Sequence, residues 1–256
     1  GIELVKALQG DCSQFICEYQ PQLEMTSGRV VGLEALIRWN HPVHGILTPD
    51  RFIGVAEISG LSERITRWVL NEVCSQINRW RRVRPDFDVP VSVNVAGREM
   101  GSTALPTLVR SALAKHGIDP HLIVLEITER TLVKESDVDN DVLAELAALG
   151  VGLVLDDFGT GYSMMGYLKR MPITALKIDQ SFIEGIPGDA DSRAIVHAMI
   201  AVAKHFKLKV VAEGIESLEQ VQYMRDIGCD FAQGFFYSRS LTAGNILEYL
   251  ERSGTA

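Results

Sequence analysis

The chain of 256 residues is 46% hydrophobic and 23% charged, an ordinary globular composition that supplies enough apolar material for a sizeable core. Its net charge of −8 argues against general affinity for nucleic acid, but bound metal can invert the local charge, so an anionic substrate is not excluded. No apolar run reaches the length of about 18 residues that would span a membrane. The four cysteines form no C-x-x-C pair, which predicts reduced core thiols and a cytoplasmic location.

Eight short apolar runs recur along the chain and predict β-strands with helices between them. The predicted strands cover residues 14–20, 30–37, 89–95, 122–127, 151–156, 174–178, 209–213 and 229–234. The predicted helices cover residues 62–83, 104–116, 138–149, 161–170, 191–206, 217–227 and 242–252. This strand count and alternation predict an α/β protein with a (β/α)8 barrel, and no low-complexity linker divides the chain. We therefore expect a single domain over residues 1–256, entered by a linker helix within residues 1–12.

Acidic side chains lie within or at the ends of these apolar runs. They are Glu34, Glu126, Asp156, Asp157, Asp179 and Glu213. Buried carboxylates are normally paired or bound to metal, and the runs supply mainly Lys177 and Arg38 as cations, so structural ion pairs explain the acids poorly. The C-terminal strand ends build the site in such barrels, where Asn94 and Gln233 would join the acids. Ligands that are all oxygen atoms favour hard cations such as Mg²⁺ or Mn²⁺.

The run at 30–37 continues into a basic residue on the same face. Side chains alternate across a strand, so Glu34, Leu36 and Arg38 share one face, with Arg38 about 13 Å beyond Glu34 in an extended strand. Arg38 could therefore reach a substrate phosphate while Glu34 holds a cation. Two such cations would offset about four negative charges, activate water and stabilise an in-line displacement at phosphorus.

Asp156 and Asp157 are adjacent and would point in opposite directions in a regular strand. Both can face one site only if the strand ends there, and the following segment 159–161 (G-T-G) supplies such a break. Lys177 could either position the attacking water or neutralise charge on the phosphate. The residue pattern does not choose between these two roles.

Seven short motifs occur in order along the chain. They are E-A-L-I-R-W at 34–39, S-V-N-V-A at 92–96, E-I-T-E at 126–129, D-D-F-G-T-G-Y-S at 156–163, K-I-D at 177–179, E-G-I-E at 213–216 and Q-G-F at 233–235. From about Tyr19–Gln20–Pro21 to the C-terminus the chain resembles the EAL domain family of cyclic-di-GMP-specific phosphodiesterases. The resemblance implies a modified TIM barrel whose first strand is antiparallel to the others. It also implies hydrolysis of cyclic di-GMP to linear pGpG with two Mg²⁺ or Mn²⁺ ions, inhibition by Ca²⁺, and a homodimer.

The resemblance also assigns roles to individual residues. The implied metal ligands are Glu34, Asn94, Glu126, Asp156, Asp157 and Glu213. Glu34, Glu213 and Lys177 would be catalytic, and the substrate would contact Gln20, Leu36, Arg38, Asp179 and Gln233. Glu129 would steady the loop after the fifth run (151–156), which also contributes to dimerisation. The chain departs from the family pattern at Ala96 and Met164, where serine is usual, and neither position is a ligand.

There are two alternatives to a cyclic-di-GMP phosphodiesterase. The chain could be a non-catalytic cyclic-di-GMP receptor, although such family members typically lose several ligands and this chain has lost none. It could be an unrelated barrel enzyme acting on phosphorylated metabolites, but the segment 233–240 lacks the Gly-rich phosphate loop expected there.

His41 and His44 resemble a metal pair, although loop packing explains them better. The basic segment 79–84 fits a solvated helix C-terminus better than a nucleic-acid surface.

Overall fold

Ten strands form one continuous sheet in the computed structural model, which describes residues 2–10, 12–95, 104–129, 138–160 and 168–254. The strands are β1 (Phe15–Glu24), β2 (Val30–His41), β3 (Gly45–Leu47), β4 (Val91–Val95), β5 (Ile123–Thr128), β6 (Gly152–Phe158), β7 (Ala175–Ile178), β8 (Lys209–Ala212), β9 (Phe231–Ala232) and β10 (Leu241–Thr242). The short strand β3 pairs with the end of β2, and β10 pairs with Glu18 and Tyr19 of β1.

The other eight strands close into a barrel. Seven of them run parallel in the order β2, β4, β5, β6, β7, β8 and β9. The first strand, β1, is antiparallel to both β2 and β9 and joins the two ends of this parallel series. The structure therefore confirms the modified (β/α)8 barrel with an antiparallel first strand.

Nine α-helices occur within the described residues. They are α1 (Ile2–Gln9), α2 (Ile53–Ile58), α3 (Ser62–Val83), α4 (Ala104–His116), α5 (Val138–Leu149), α6 (Gln180–Ile183), α7 (Ala190–His205), α8 (Leu218–Asp226) and α9 (Ala243–Arg252). Short 3₁₀ turns cover Pro49–Arg51 and Pro120–Leu122. Two helices have typical end residues: Ser217 and Gln220 form a capping box before α8, and Gly150 and Gly228 adopt positive φ after α5 and α8. No helix in these ranges is long and apolar enough to cross a membrane.

The helices cover the barrel with their apolar faces, and α1 packs in the same way. It buries Leu4, Ala7 and Leu8, so the helix expected within residues 1–12 is part of the packed core. The predicted helix at 161–170 falls mostly on residues 161–167, which lie outside the described residues. The parallel strands are buried on both faces, as the four consecutive buried residues of β7 (Ala175–Ile178) illustrate.

Candidate active site

The ammonium group of Lys177 lies among four carboxylates inside the barrel. Lys177 is on β7 and is 1% exposed. Its Nζ atom lies 2.7 Å from Glu126 Oε2 and 2.7 Å from Glu213 Oε1. The same atom lies 3.2 Å from Glu34 Oε2 and 3.5 Å from Asp156 Oδ1. Residues from five strand positions are thus brought to one point, as the barrel topology predicted.

Amide side chains connect the same acids. Gln233 Nε2 donates hydrogen bonds to Glu34 Oε2 at 2.6 Å and to Gln20 Oε1 at 3.0 Å. Asn94 Nδ2 donates to Glu34 Oε1 at 2.7 Å, so both oxygens of this carboxylate are held. Four residues expected from the sequence, namely Gln20, Glu34, Asn94 and Gln233, therefore form one hydrogen-bonded group.

Gln22 joins this group although the sequence reasoning missed it. Its Nε2 donates to Gln233 Oε1 at 3.0 Å and contacts Glu126 Oε1 at 3.5 Å. Gln22 opposes Gly32 on β2, and a Cβ atom at Gly32 would lie 2.8 Å from Gln22 Oε1. The available signal was alternation, because residues two apart on a strand share a face and Gln20 was already assigned to the pocket.

Asp156 and Asp157 reach one site through a distortion within β6. The strand continues to Phe158, so the expectation that it ends at the acid pair is wrong. Its pairing with β7 shifts register between Leu155 and Phe158, and Asp157 has a φ of +55°, in the left-handed region. The backbone N–H of Asp157 also donates to Asp156 Oδ1 at 2.9 Å. This irregularity breaks the alternation that would otherwise separate the two carboxylates.

Three carboxylates form a group that fits a hard cation. Oxygens of Asp156, Asp157 and Glu213 all lie within 4.8 Å of one another. Glu34 and Glu126 lie near them, because both contact the same Lys177 Nζ as Asp156 and Glu213, and Asn94 is hydrogen-bonded to Glu34. A donor set of carboxylate and amide oxygens suits Mg²⁺ or Mn²⁺ rather than a softer metal. The arrangement supports divalent-metal binding at this end of the barrel.

Burial and crowding shift the titration of the central acids in opposite directions. Burial and the neighbouring charge of Glu34 together raise the pKa of Glu126 to about 8, although Lys177 opposes the change. Burial likewise holds the pKa of Glu213 well above its ordinary value. Burial also disfavours the charge on Glu34, but Lys177 and the hydrogen bonds from Gln233 and Asn94 outweigh it and lower its pKa. Burial disfavours the charged form of Lys177, but the four acids outweigh this effect and raise its pKa well above the usual range.

Glu129 contacts the loop that follows β6. Its buried carboxylate accepts a hydrogen bond from the backbone N–H of Gly159 through Oε2 at 2.8 Å. This contact ties the segment after β5 to the segment carrying Asp157. It is the geometry expected of a residue that steadies this loop.

Three predicted substrate-contacting residues lie beside the acid cluster and have other partners. Arg38 Nε forms an ion pair with Glu18 Oε2 at 3.0 Å. Leu36 is half-buried on β2 opposite Glu18, and Asp179 caps α6 by accepting a hydrogen bond from Ser181 N at 3.0 Å. The two departures at Ala96 and Met164 lie outside the described residues.

The remaining histidine and arginine motifs make intramolecular contacts. His41 Nε2 lies 3.3 Å from Glu3 Oε2, and His41 Nδ1 accepts from the backbone N–H of Val43, so this histidine is engaged in loop packing. Arg79 pairs with Glu72, and Arg81 and Arg84 pair with nearby aspartates on the surface of the barrel.

Comparisons with known proteins agree with this architecture. The EAL domain family matches residues 3–240 of the chain. Two curated relatives come from Pseudomonas aeruginosa. The "Bifunctional diguanylate cyclase/cyclic di-GMP phosphodiesterase MucR" is 40% identical over 91% of this chain and 34% of its own length. The "Cyclic di-GMP phosphodiesterase NbdA" is 41% identical over 97% of this chain and 31% of its own length. The chain thus spans about a third of the length of both relatives.

Solved structures give the same assignment. The PaMucR phosphodiesterase in its c-di-GMP complex superposes with a TM-score of 0.90 at 39% identity, covering 95% of this chain and 99% of the other. The EAL enzyme Bd1971, with cAMP and cyclic di-GMP bound, gives a TM-score of 0.90 at 32% identity, covering 97% of this chain and 67% of the other. The sequence motifs, the antiparallel strand that closes the barrel and the family match over most of its length together show that the chain belongs to the EAL domain family.

Proposed function

We propose that this chain is a metal-dependent phosphodiesterase that hydrolyses cyclic di-GMP to linear pGpG. The main support is that Lys177 contacts four carboxylates in a chain of this family. They belong to Glu34, Glu126, Asp156 and Glu213. The relatives MucR and NbdA are named as cyclic-di-GMP phosphodiesterases, and the PaMucR structure contains this ligand. The same chemistry, applied to this chain, would lower the concentration of a bacterial second messenger.

The residues that would hold Mg²⁺ or Mn²⁺ are the oxygen donors of the cluster. We assign them as Glu34, Asn94, Glu126, Asp156, Asp157 and Glu213. When bound, two such ions supply an activated water and neutralise negative charge at the scissile phosphate. Calcium favours larger and more flexible coordination, so Ca²⁺ should occupy the site and inhibit turnover.

The chain's own side chains orient and balance this site. Lys177 holds four carboxylates at one point against their mutual repulsion. Gln233 and Asn94 each bind one oxygen of Glu34 and fix the plane of that carboxylate. We assign the walls of the nucleotide pocket to Gln20, Leu36, Arg38, Asp179 and Gln233, with Arg38 facing a phosphate.

Turnover of cyclic di-GMP by the purified chain, with Mg²⁺ or Mn²⁺ and separation of pGpG, tests the proposal. We expect Glu34→Gln to lower kcat more than about 100-fold, since even residues that only support metal ligands cost 10–100-fold. Glu24→Gln is the matched control, because Glu24 also lies on a barrel strand but its carboxylate binds Ser27 at the surface. A folded chain that releases no pGpG with either metal contradicts the proposal, and near-normal turnover by Glu34→Gln contradicts the ligand assignment.

The non-catalytic receptor predicts a different result from the same samples. It would bind cyclic di-GMP tightly without releasing pGpG. Calorimetry with Ca²⁺ measures the binding of cyclic di-GMP, and the turnover assay with Mg²⁺ measures the release of pGpG. Together they separate the two functions. The complete set of oxygen donors supports the enzyme.

We also infer that the chain forms a homodimer and works in the cytoplasm, without nucleic-acid partners. The net charge of −8 disfavours binding of a polyanion such as nucleic acid. The dimer is supported by the contact of Glu129 with Gly159, because the loop that begins there contributes to dimerisation in the family. Light scattering of the wild-type chain and of Glu129→Ala tests the dimer. A monomeric wild-type chain at micromolar concentration contradicts it.

A further inference from the structure

Glu18, Arg38 and Ser240 form a closed ring of hydrogen bonds beside the acid cluster. Arg38 Nε donates to Glu18 Oε2 at 3.0 Å, and Arg38 Nη2 donates to Ser240 Oγ at 3.2 Å. Ser240 Oγ in turn donates to the same Glu18 Oε2 at 2.7 Å. The side chains of Arg38 and Glu18 are only 12% and 22% exposed, so the ring is shielded from most of the solvent.

The ring joins β1 and β2 to the segment that follows β9. Glu18 on β1 opposes Leu36 on β2, on the same face as the pair formed by Gln20 and Glu34. Ser240 belongs to the segment between β9 and β10, and that segment is held a second time because Gln20 Nε2 donates to Ser238 O at 3.1 Å. The segment is therefore fastened to the face that carries both the acids and Arg38.

The hydrogen bonds leave part of the guanidinium available. A guanidinium has five N–H donors. Three of those on Arg38 bind Glu18, Ser240 and the carbonyl of Ile37, the last at 3.2 Å. The other two have no partner among the described residues. A carboxylate that blocked Arg38 would take two parallel N–H donors with two oxygens, whereas Glu18 contacts Arg38 through one oxygen at Nε.

We propose that Glu18 and Ser240 are positioning residues that hold the Arg38 guanidinium ready for a phosphodiester oxygen of the substrate. The proposal rests on the proposed function, which supplies the phosphate that Arg38 would bind. Arginine has a long and flexible side chain, and fixing it before binding removes an entropy cost that the substrate would otherwise meet. Neither residue needs to touch the substrate for this effect.

Steady-state kinetics of variants at Ser240 and Glu18 test the positioning. We expect Ser240→Ala and Glu18→Gln to raise KM for cyclic di-GMP about 5-fold while kcat changes less than about 2-fold, since each weakens a hydrogen bond outside the reacting atoms. Ser240→Thr keeps the hydroxyl and should restore KM. Ser27→Ala is the matched control, because Ser27 Oγ donates to Glu24 in an exposed serine–glutamate pair away from Arg38.

A double-mutant cycle separates positioning from a general structural effect. The increase in KM caused by Ser240→Ala should vanish in an Arg38→Ala background, because the residue being positioned is then absent. An undiminished effect in that background overturns the proposal. A decrease in KM for Glu18→Gln overturns it as well, because Glu18 would then be blocking Arg38.

Binding measurements keep this proposal distinct from the proposed function. The dissociation constant of cyclic di-GMP with Ca²⁺ is measured for the same variants. If the wild-type chain binds without turnover, the phosphodiesterase proposal fails, and a roughly 5-fold weaker binding of Ser240→Ala still supports positioning. Unchanged binding by Ser240→Ala and Glu18→Gln overturns positioning whether or not the chain is active, and a folded wild-type chain that does not bind overturns both proposals.

Discussion

Lys177 balances four carboxylates with a single positive charge. A buried ammonium group is costly to desolvate, and so is each buried acid, yet their short contacts offset much of the cost. The balance is incomplete, because the pKa values of Glu126 and Glu213 are raised and these acids retain protons above their ordinary range. A bound divalent cation would take the place of those protons. The site would therefore combine a fixed positive charge, that of Lys177, with protons and divalent cations that can exchange.

We expect Lys177→Met to destabilise the metal-free chain by about 3 kcal/mol at neutral pH, because removing one partner of a buried ion pair leaves uncompensated charge. Turnover should be lost as well. Urea unfolding in the presence of a chelator measures the first effect. Lys209→Met is the control, since Lys209 also lies on a barrel strand and binds one aspartate, Asp230, but its side chain is 60% exposed. An equal loss of stability in both variants would contradict the structural role of Lys177.

Within β6, the irregularity at Asp157 brings the carboxylates of two neighbouring residues to one site. A φ of +55° is uncommon for residues other than glycine, but aspartate and asparagine tolerate it better than β-branched side chains do. The proposed metal site therefore needs a residue at this position that suits both the positive φ and a cation. Aspartate meets both requirements at this position.

The two requirements at Asp157 can be separated by mutation. Asp157→Asn keeps the backbone tolerance and removes the charge, so we expect weaker Mn²⁺ binding with metal-free stability unchanged to within about 0.5 kcal/mol. Asp157→Val should bind Mn²⁺ as weakly and also lose about 1–2 kcal/mol, because a β-branched residue is strained in the left-handed region. Calorimetric Mn²⁺ titration and urea unfolding provide the two readouts. Equal stability of the two variants would show that the positive φ imposes no strain.

The elements that the sequence predicted best are the long and periodic ones. The predicted helix 62–83 has the bounds of α3, and the predicted helix 104–116 has those of α4. The short elements β3, β10, α2 and α6 were missed, because two to six residues carry too little periodicity. The first strand was predicted to cover residues 14–20, yet β1 continues to Glu24. That boundary error hid Gln22 from the predicted site.

For the site itself, the motifs predicted which acids would meet but could not give their partners. Hydrogen bonds such as that of Gln22 with Gln233 depend on barrel closure between residues far apart in the chain. The ion pair of Arg38 with Glu18 likewise depends on the register of β1 against β2. One residue of register shift turns a side chain to the opposite face, so such contacts follow only from the assembled sheet.

At the scale of the whole molecule, stability should depend on pH and on metal together. Burial raises the pKa of Glu126 to about 8 in the folded chain, against the ordinary value of 4.5 for an unfolded glutamate. Between these values the folded state keeps a proton that the unfolded state has released. Stability from this proton is therefore present below about pH 4.5 and is lost as the pH rises to about 8.

We expect the unfolding free energy of the metal-free chain to fall between about pH 6 and pH 8, with a smaller slope in Glu126→Gln, which has no proton to release. The stabilisation by Mn²⁺ should grow over the same interval, because the cation and the proton compete for the acids. Urea unfolding at several pH values, with chelator or with Mn²⁺, measures both slopes. A metal-free stability that rises with pH, or an unchanged slope in Glu126→Gln, would contradict the raised pKa.

The antiparallel position of β1 has a consequence for how the protein is made. Of the eight barrel strands β1 is synthesised first, but one of its two neighbours in the barrel is β9, which is synthesised last of the eight. The hydrogen bonds of Gln233 with Gln20 and Glu34 span 213 and 199 residues. Such distant contacts form late, because the intervening chain must first be ordered. A nascent chain that has emerged through Glu213 already carries all six acids, yet it lacks β9, the second neighbour of β1, and so the site is completed only after β9 has been synthesised.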